Sequence, residues 1–167
     1  MQEAPRRPAH AGDRLGALPR PEPVIAECQT LLGGLAPGVD FTREIRITRE
    51  HGLGDVSLVR RGRRLAGWAL WHSAPLAAGR PSDETRVLKV VAEDDSAFAQ
   101  VSAALLAHAA EAGRRRVGLR VQTALPGVLP LALDLGWRVH WTDLRMTLAG
   151  HPERPPRHGV VLSNWEV

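Results

Sequence analysis

The stretch from Arg86 to Gly113, RVLKVVAEDDSAFAQVSAALLAHAAEAG, constrains the fold more than any other part of the chain. Val87, Leu88, Val90, Val91 and Ala92 form an apolar run rich in β-branched residues, which suits a strand covered on both faces. Glu93, Asp94, Asp95 and Ser96 interrupt it with turn and helix-cap chemistry. Phe98, Val101, Leu105, Ala109 and Ala112 then recur at helical spacing until Gly113. The stretch predicts a buried strand, a tight turn and an amphipathic helix. In open α/β proteins such a turn, at the carboxyl end of a strand and the positive end of a helix, is a place for an anionic ligand.

The neighbouring segments extend this unit into one domain. Val24 to Leu32 predicts a short helix with Ile25, Cys28, Leu31 and Leu32 on its apolar face, ended by Gly33 and Gly34. A second helix is expected from Asp40, acting as its cap, through Ile45 and Ile47 to His51 and Gly52. The period then changes to that of strands. Val56, Leu58 and Val59, the turn Arg61-Gly62-Arg63, and Leu65 to His72 predict an antiparallel hairpin. Beyond a loop from Ser73 to Thr85 and the central unit, Arg116 to Gln122 predicts a strand parallel to the one at Arg86 to Ala92, through a right-handed crossover. Ala124 to Leu135 predicts a short helix with proline in its first turn, Trp137 to Leu148 a long strand bent near Thr142 and Asp143, and Gly159 to Val167 a final strand. The expected organisation is a flexible Pro/Arg-rich leader over 1–23, a folded domain over 24–150, and a tail over 151–167 that can add an edge strand.

Composition narrows the function. The 22 Lys+Arg residues are balanced by 18 Asp+Glu, so the net charge of +4 does not imply nucleic-acid binding, and Arg114 to Arg116 read as a solvated helix end. Cys28 is alone, which excludes an internal disulfide and fits a reducing cytoplasm. No apolar run approaches the ~20 residues of a membrane span. The histidines, among them His51, His72, His108, His140, His151 and His158, show no zinc-site spacing, so no metal is expected. The serines lack a nucleophile-elbow setting, and no phosphate-binding loop ends in Lys-Ser or Lys-Thr.

The order hairpin, strand, long helix, strand, short helix and long strand, with ALLAHAAEAG at 104–113 and LDLGWRV at 133–139, resembles the GNAT superfamily of acyl-CoA-dependent N-acetyltransferases over roughly Asp40 to Leu148. The resemblance implies an α/β (α+β) fold with a mixed central sheet, in which an antiparallel hairpin is followed by a parallel βαβ unit with splayed strands. It implies transfer of an acetyl or acyl group from acetyl-CoA, or another acyl-CoA, to a small-molecule or protein amine. The backbone of Val90, Val91 and Ala92 would pair with the pantetheine arm, and the loop from Glu93 to Ser102 would hold the pyrophosphate. The family's Gln/Arg-x-x-Gly-x-Gly/Ala motif falls on Ala97, Gln100 and Ser102, none of which matches, and the family's first strand has no counterpart, so the copy is shortened and its cofactor loop degenerate. The usual tyrosine acid falls near Ala132 in a chain without tyrosine. His72, Glu93 and His140 are the candidate substitutes. The alternative is a degenerate GNAT-like domain kept for homodimerisation or for pairing with a partner GNAT domain, using its Trp-rich strands and the segment from Val160 to Trp165.

Overall fold

Leu15 is the first of the described residues that the core encloses. It is 1% exposed in a 3-10 turn (Leu15–Ala17) that follows a two-residue strand, β1 (Asp13–Arg14). Regular structure thus lies within the stretch read as a leader. The computed structural model describes residues 12–75, 83–144, 146, 148–150 and 155–164. Helix α1 (Glu22–Leu35) runs through Gly33 and Gly34 instead of stopping there. Leu32 and Leu35 are buried, so packing of the last turn outweighs the glycines' low helix propensity. Helix α2 (Thr42–Glu50) starts two residues after Asp40, whose carboxylate accepts from the Thr42 N–H at 2.7 Å.

The hairpin forms as expected, with β2 (Gly54–Arg61) antiparallel to β3 (Arg64–His72). The central unit follows as β4 (Glu84–Ala92) and α3 (Asp95–Glu111), and then β5 (Arg116–Gly118), α4 (Val128–Asp134) and β6 (Val160–Ser163). The sheet runs β1-β2-β3-β4-β5, with β6 also on β4. β5 is parallel to β4 and the remaining pairs are antiparallel, so the sheet is mixed. The period of two sorts the core into two layers. Val56, Leu58, Trp68, Leu70 and Val91 pack with α1 and α2, while Ala69, Trp71, Val90 and Ala92 pack with α3 and α4. Among the described residues no helix is long and apolar enough to cross a membrane.

Two features of β4 shape everything around it. Leu70 registers with Lys89 and Trp71 with Val87, which leaves Leu88 as an extra residue, a bulge that bends the strand. Before the bulge, Glu84 to Arg86 pair with β5; after it, Lys89 to Ala92 pair with β6 on the same edge. The two strands therefore divide one side of β4 between them. β5 is shorter than the seven-residue run of the sequence suggests, because its partner bends away.

The long strand expected over Trp137 to Leu148 does not form among the described residues. Beyond Arg86 the edge of β4 is taken by β6, and β5, three residues long, offers little for a long strand to pair with. Val139, Trp141, Leu144, Met146 and Leu148 lie exposed instead. The stretch is tied down by Arg120, which sits 4.6 Å from the Trp141 ring centre and 3.2 Å from the Asp143 carboxylate.

A buried polar chain ties Gly12, the first described residue, to the central helix α3. Trp71 Nε1–H donates to Ser57 Oγ at 3.0 Å, and Ser57 Oγ lies 2.8 Å from His108 Nδ1. His108 Nε2 is 2.9 Å from the Gly12 carbonyl, which can only accept. The proton is thus on Nε2, Nδ1 accepts from the Ser57 hydroxyl, and every group in the chain is satisfied. Ser57 is 0% and His108 3% exposed, so the pair is structural and closed to any substrate.

Candidate functional site

The turn between β4 and α3 meets the turn between β2 and β3, because β3 runs antiparallel to β4 and its start lies beside β4's end. One turn is acidic and the other basic. Arg61 donates to both carboxylate oxygens of Asp94, at 2.9 and 3.1 Å. Its Nη1 also lies 2.7 Å from Glu93 Oε1, an ion contact without hydrogen-bond alignment, and Arg64 Nη1 bonds Glu93 Oε2. Linear reading missed these arginines, although a basic hairpin turn and an acidic strand-end turn in adjoining strands was a usable sign.

Asp94 does more than pair with arginine. Its Oδ1 accepts from the Ala97 N–H at 2.8 Å, which makes it the N-cap of α3. The Arg61 bonds first, and the Ala97 amide next, hold its carboxyl down at about 2. The chain's own carboxylate thus occupies the positive end of the helix. Replacing Asp94 with Ala should lower stability by about 1 kcal/mol through the lost cap, read as a shift in urea midpoint, and an unchanged midpoint would refute the capping role. With its folded pKa lowered, the Asp94 contribution is complete above the ordinary carboxylate range and is lost as pH falls through that range toward 2.

The residues expected to hold a cofactor lie along this edge and helix. Asn164 N–H donates to Leu88 O at 2.7 Å. Because bond directions alternate along a strand, Leu88, Val90 and Ala92 present their backbone groups to this edge, whereas Val91 presents its own to β3. The edge expected to be open is covered: Val90 pairs with Leu162, Val91 with Val161 and Ala92 with Val160. Ala97 is fully buried and Ser102 nearly so, both facing the core, while Gln100 is exposed on the outer face of the first turns of α3.

The three candidate acid–base residues are not brought together. His72 registers with Arg86 at the start of β4, where its Nε2 lies 2.8 Å from Thr48 Oγ1. Burial, and then the Arg86 charge, lower its pKa and keep it neutral. Glu93 follows the last residue of β4, at the far end of the strand. Its side chain, 15% exposed, forms one wall of an open groove of about 610 Å³ beside α1, shared with Glu27, Arg63, Arg64 and His158. His140 is exposed in the irregular stretch after α4.

The geometry defines a class: a mixed α/β sheet in which two parallel strands separate at a bulge, next to the start of a long helix. No protein-family model matches the chain. No curated protein matches it either. Solved structures do. A mutant of TTHA1254 from Thermus thermophilus aligns with a TM-score of 0.56 at 17% identity, covering 74% of this chain and 92% of that one. A mutant of BH1408 from Bacillus halodurans aligns at 0.53 and 11% identity, covering 75% and 87%. An acetyltransferase from Trypanosoma brucei aligns at 0.51 and 19% identity, covering 76% and 94%. The chain thus has a mixed α/β, GNAT-like fold.

Proposed function

We propose that this chain is an N-acyltransferase domain that uses acetyl-CoA or a related acyl-CoA and passes the acyl group to an amine. One observation carries the reading. β4 and β5 part after Arg86, and the edge from Leu88 to Ala92, running toward the start of α3, accepts an extended chain bearing amides. β6 is such a chain, and a pantetheine arm, with its two amides, has the same bonding needs. On this reading Val90 and Ala92 bind the arm through their backbone, and Val91 fixes the strand between them. Ala97, Gln100 and Ser102 form the first turns of the helix beside the phosphates.

The chemistry supplied by the bound thioester is an activated acyl carbon. The protein's part is to hold an uncharged amine against it, so that the new carbon–nitrogen bond forms as the carbon–sulfur bond breaks. Glu93, His72 and His140 are the candidates for taking the amine's proton. Glu93 lies nearest the proposed cofactor edge and faces the groove beside α1, with Arg61 and Arg64 on its carboxylate. A second reading, a partner-binding domain without turnover that acts as a homodimer or pairs with another GNAT domain, is favoured by the exposed run of Val139, Trp141, Leu144, Met146 and Leu148. Trp165, assigned to that surface from the sequence, lies outside the described residues, as do residues 76–82 of the loop from Ser73 to Thr85. We read the protein as cytoplasmic.

The test is calorimetric titration with acetyl-CoA, with desulfo-coenzyme A as a non-reactive control, followed by thiol release with a panel of amines. Saturable binding below about 1 mM, with release that depends on the amine, is the expected result. Binding without release for any amine would favour the second reading. Absence of binding, both by the unaltered protein and by a folded variant in which β6 is kept off β4, would overturn acyl-CoA use and turnover.

A further inference from the structure

The edge proposed for the cofactor is the edge on which β6 lies. We infer that β6 is an intrasteric plug: the segment Val160–Ser163 and the acyl-CoA arm compete for the same backbone groups of β4, so the protein loads cofactor only when β6 leaves. This inference rests on the acyltransferase reading and adds its regulation.

The plug is built rather than casually placed. Val160 and Leu162 are 1% and 2% exposed and belong to the core layer under α3. Lys89, the chain's only lysine, is 8% exposed and fastens the far end. Its Nζ donates to Ser163 Oγ at 2.8 Å and to the Asn164 carbonyl at 3.1 Å, and it also lies 4.7 Å from the centre of the Phe41 ring. At the near end Gly159 has φ +69°, and a Cβ there would stand 2.5 Å from the Ala92 carbonyl oxygen and 3.0 Å from that of Glu93. Only glycine allows the chain to enter the slot at that point. The mimicry extends to the other half of the ligand, since Asp94 places a carboxylate at the helix start where phosphate would lie.

The same strand is too small to hold its place against every competitor. It has four residues and one partner strand, so a ligand offering amides and an anion together can displace it. The affinity of the protein for acyl-CoA is then reduced by the fraction of molecules in which the slot is open.

Two full-length variants separate the possibilities. Gly159→Val hinders entry of β6 and leaves Leu88 to Ala92 intact. The double variant Val91→Cys and Val161→Cys joins a cross-strand pair whose side chains share a face, and its disulfide locks β6 in place. Cys28 lies in the same core layer as Val91, so it is replaced by Ala in the double variant and in its reference protein. Acetyl-CoA binding is measured by calorimetry, and amide exchange of Val160 to Ser163 by mass spectrometry. Gly159→Val should bind at least about tenfold more tightly than the unaltered protein, and the oxidised double variant at least about tenfold more weakly, with reduction restoring affinity. In the unaltered protein acetyl-CoA should speed exchange at Val160 to Ser163. Equal affinity in all forms, with exchange unchanged, would overturn the plug and leave acyl-CoA binding standing. No binding by folded Gly159→Val or by any other form would remove the acyl-CoA reading and the plug with it.

Discussion

Trp68→Ala should lower the stability of this protein by about 3–5 kcal/mol, a large share of what a domain of this size possesses. Trp68 is 0% exposed at the centre of β3, between α1 and α2. Its ring meets Phe41 edge-on with centroids 6.3 Å apart, and its Nε1–H donates to the Cys28 carbonyl at 3.2 Å. Truncation leaves a cavity and takes the indole donor from a buried carbonyl in α1. In urea the midpoint should fall by about 2 M. Trp141→Ala provides the contrast, since that ring is 56% exposed and its described ring contact is with Arg120, so the change should stay below about 1 kcal/mol. Similar losses for both tryptophans would mean that the stretch after α4 is packed in solution against something that buries it.

The second large effect concerns Ser57. Ser57→Ala removes one hydroxyl but leaves two buried groups, Trp71 Nε1–H and His108 Nδ1, without partners, at a loss of about 2–4 kcal/mol. The same chain makes stability depend on pH. Burial lowers the pKa of His108 against the opposing influence of the Gly12 carbonyl, with Arg14 on one side and Glu111 and Asp55 on the other. Because its folded pKa is below its unfolded one, the unfolded chain takes up more protons in acid. The contribution of His108 is complete above the ordinary histidine value near 6.5 and is lost as pH falls through that value toward the folded one. His72 is lowered in the same direction and adds to the slope. Denaturation of the protein and of His108→Gln between pH 5 and 8 reads this out directly. The variant should show a flatter profile, and identical slopes would mean that His108 gains no proton on unfolding.

Much of the architecture was legible because it rests on local patterns. Asp94 could be read as a cap from its place between an apolar run and a helical period, and the hairpin from its basic turn with Gly62, which has φ +65°. Gly33 and Gly34 misled because propensity is weak against buried neighbours at Leu32 and Leu35. The fate of Trp137 to Leu148 was not legible, since alternation tells which residues suit a strand and not whether an edge is free for them. The site was read in outline only. Leu88, Val90 and Ala92 turn to the edge that β6 covers because of a bulge, and a bulge depends on register with β3 rather than on any residue type. Nothing in VVLS says that it belongs beside Lys89 to Ala92 and not at the outer margin of the sheet.

The bond from Lys89 to Ser163 spans 74 positions of the chain. Closing so long a loop forfeits more entropy than closing the hairpin, and four paired residues return little for it. The pairings from β1 through β5 do not involve β6. Seating of β6 on β4 is therefore expected late in assembly, and its release early in disassembly. A protein arranged in this way can open its slot while the framework stays folded, which separates the energy of gating from the energy of holding the molecule together.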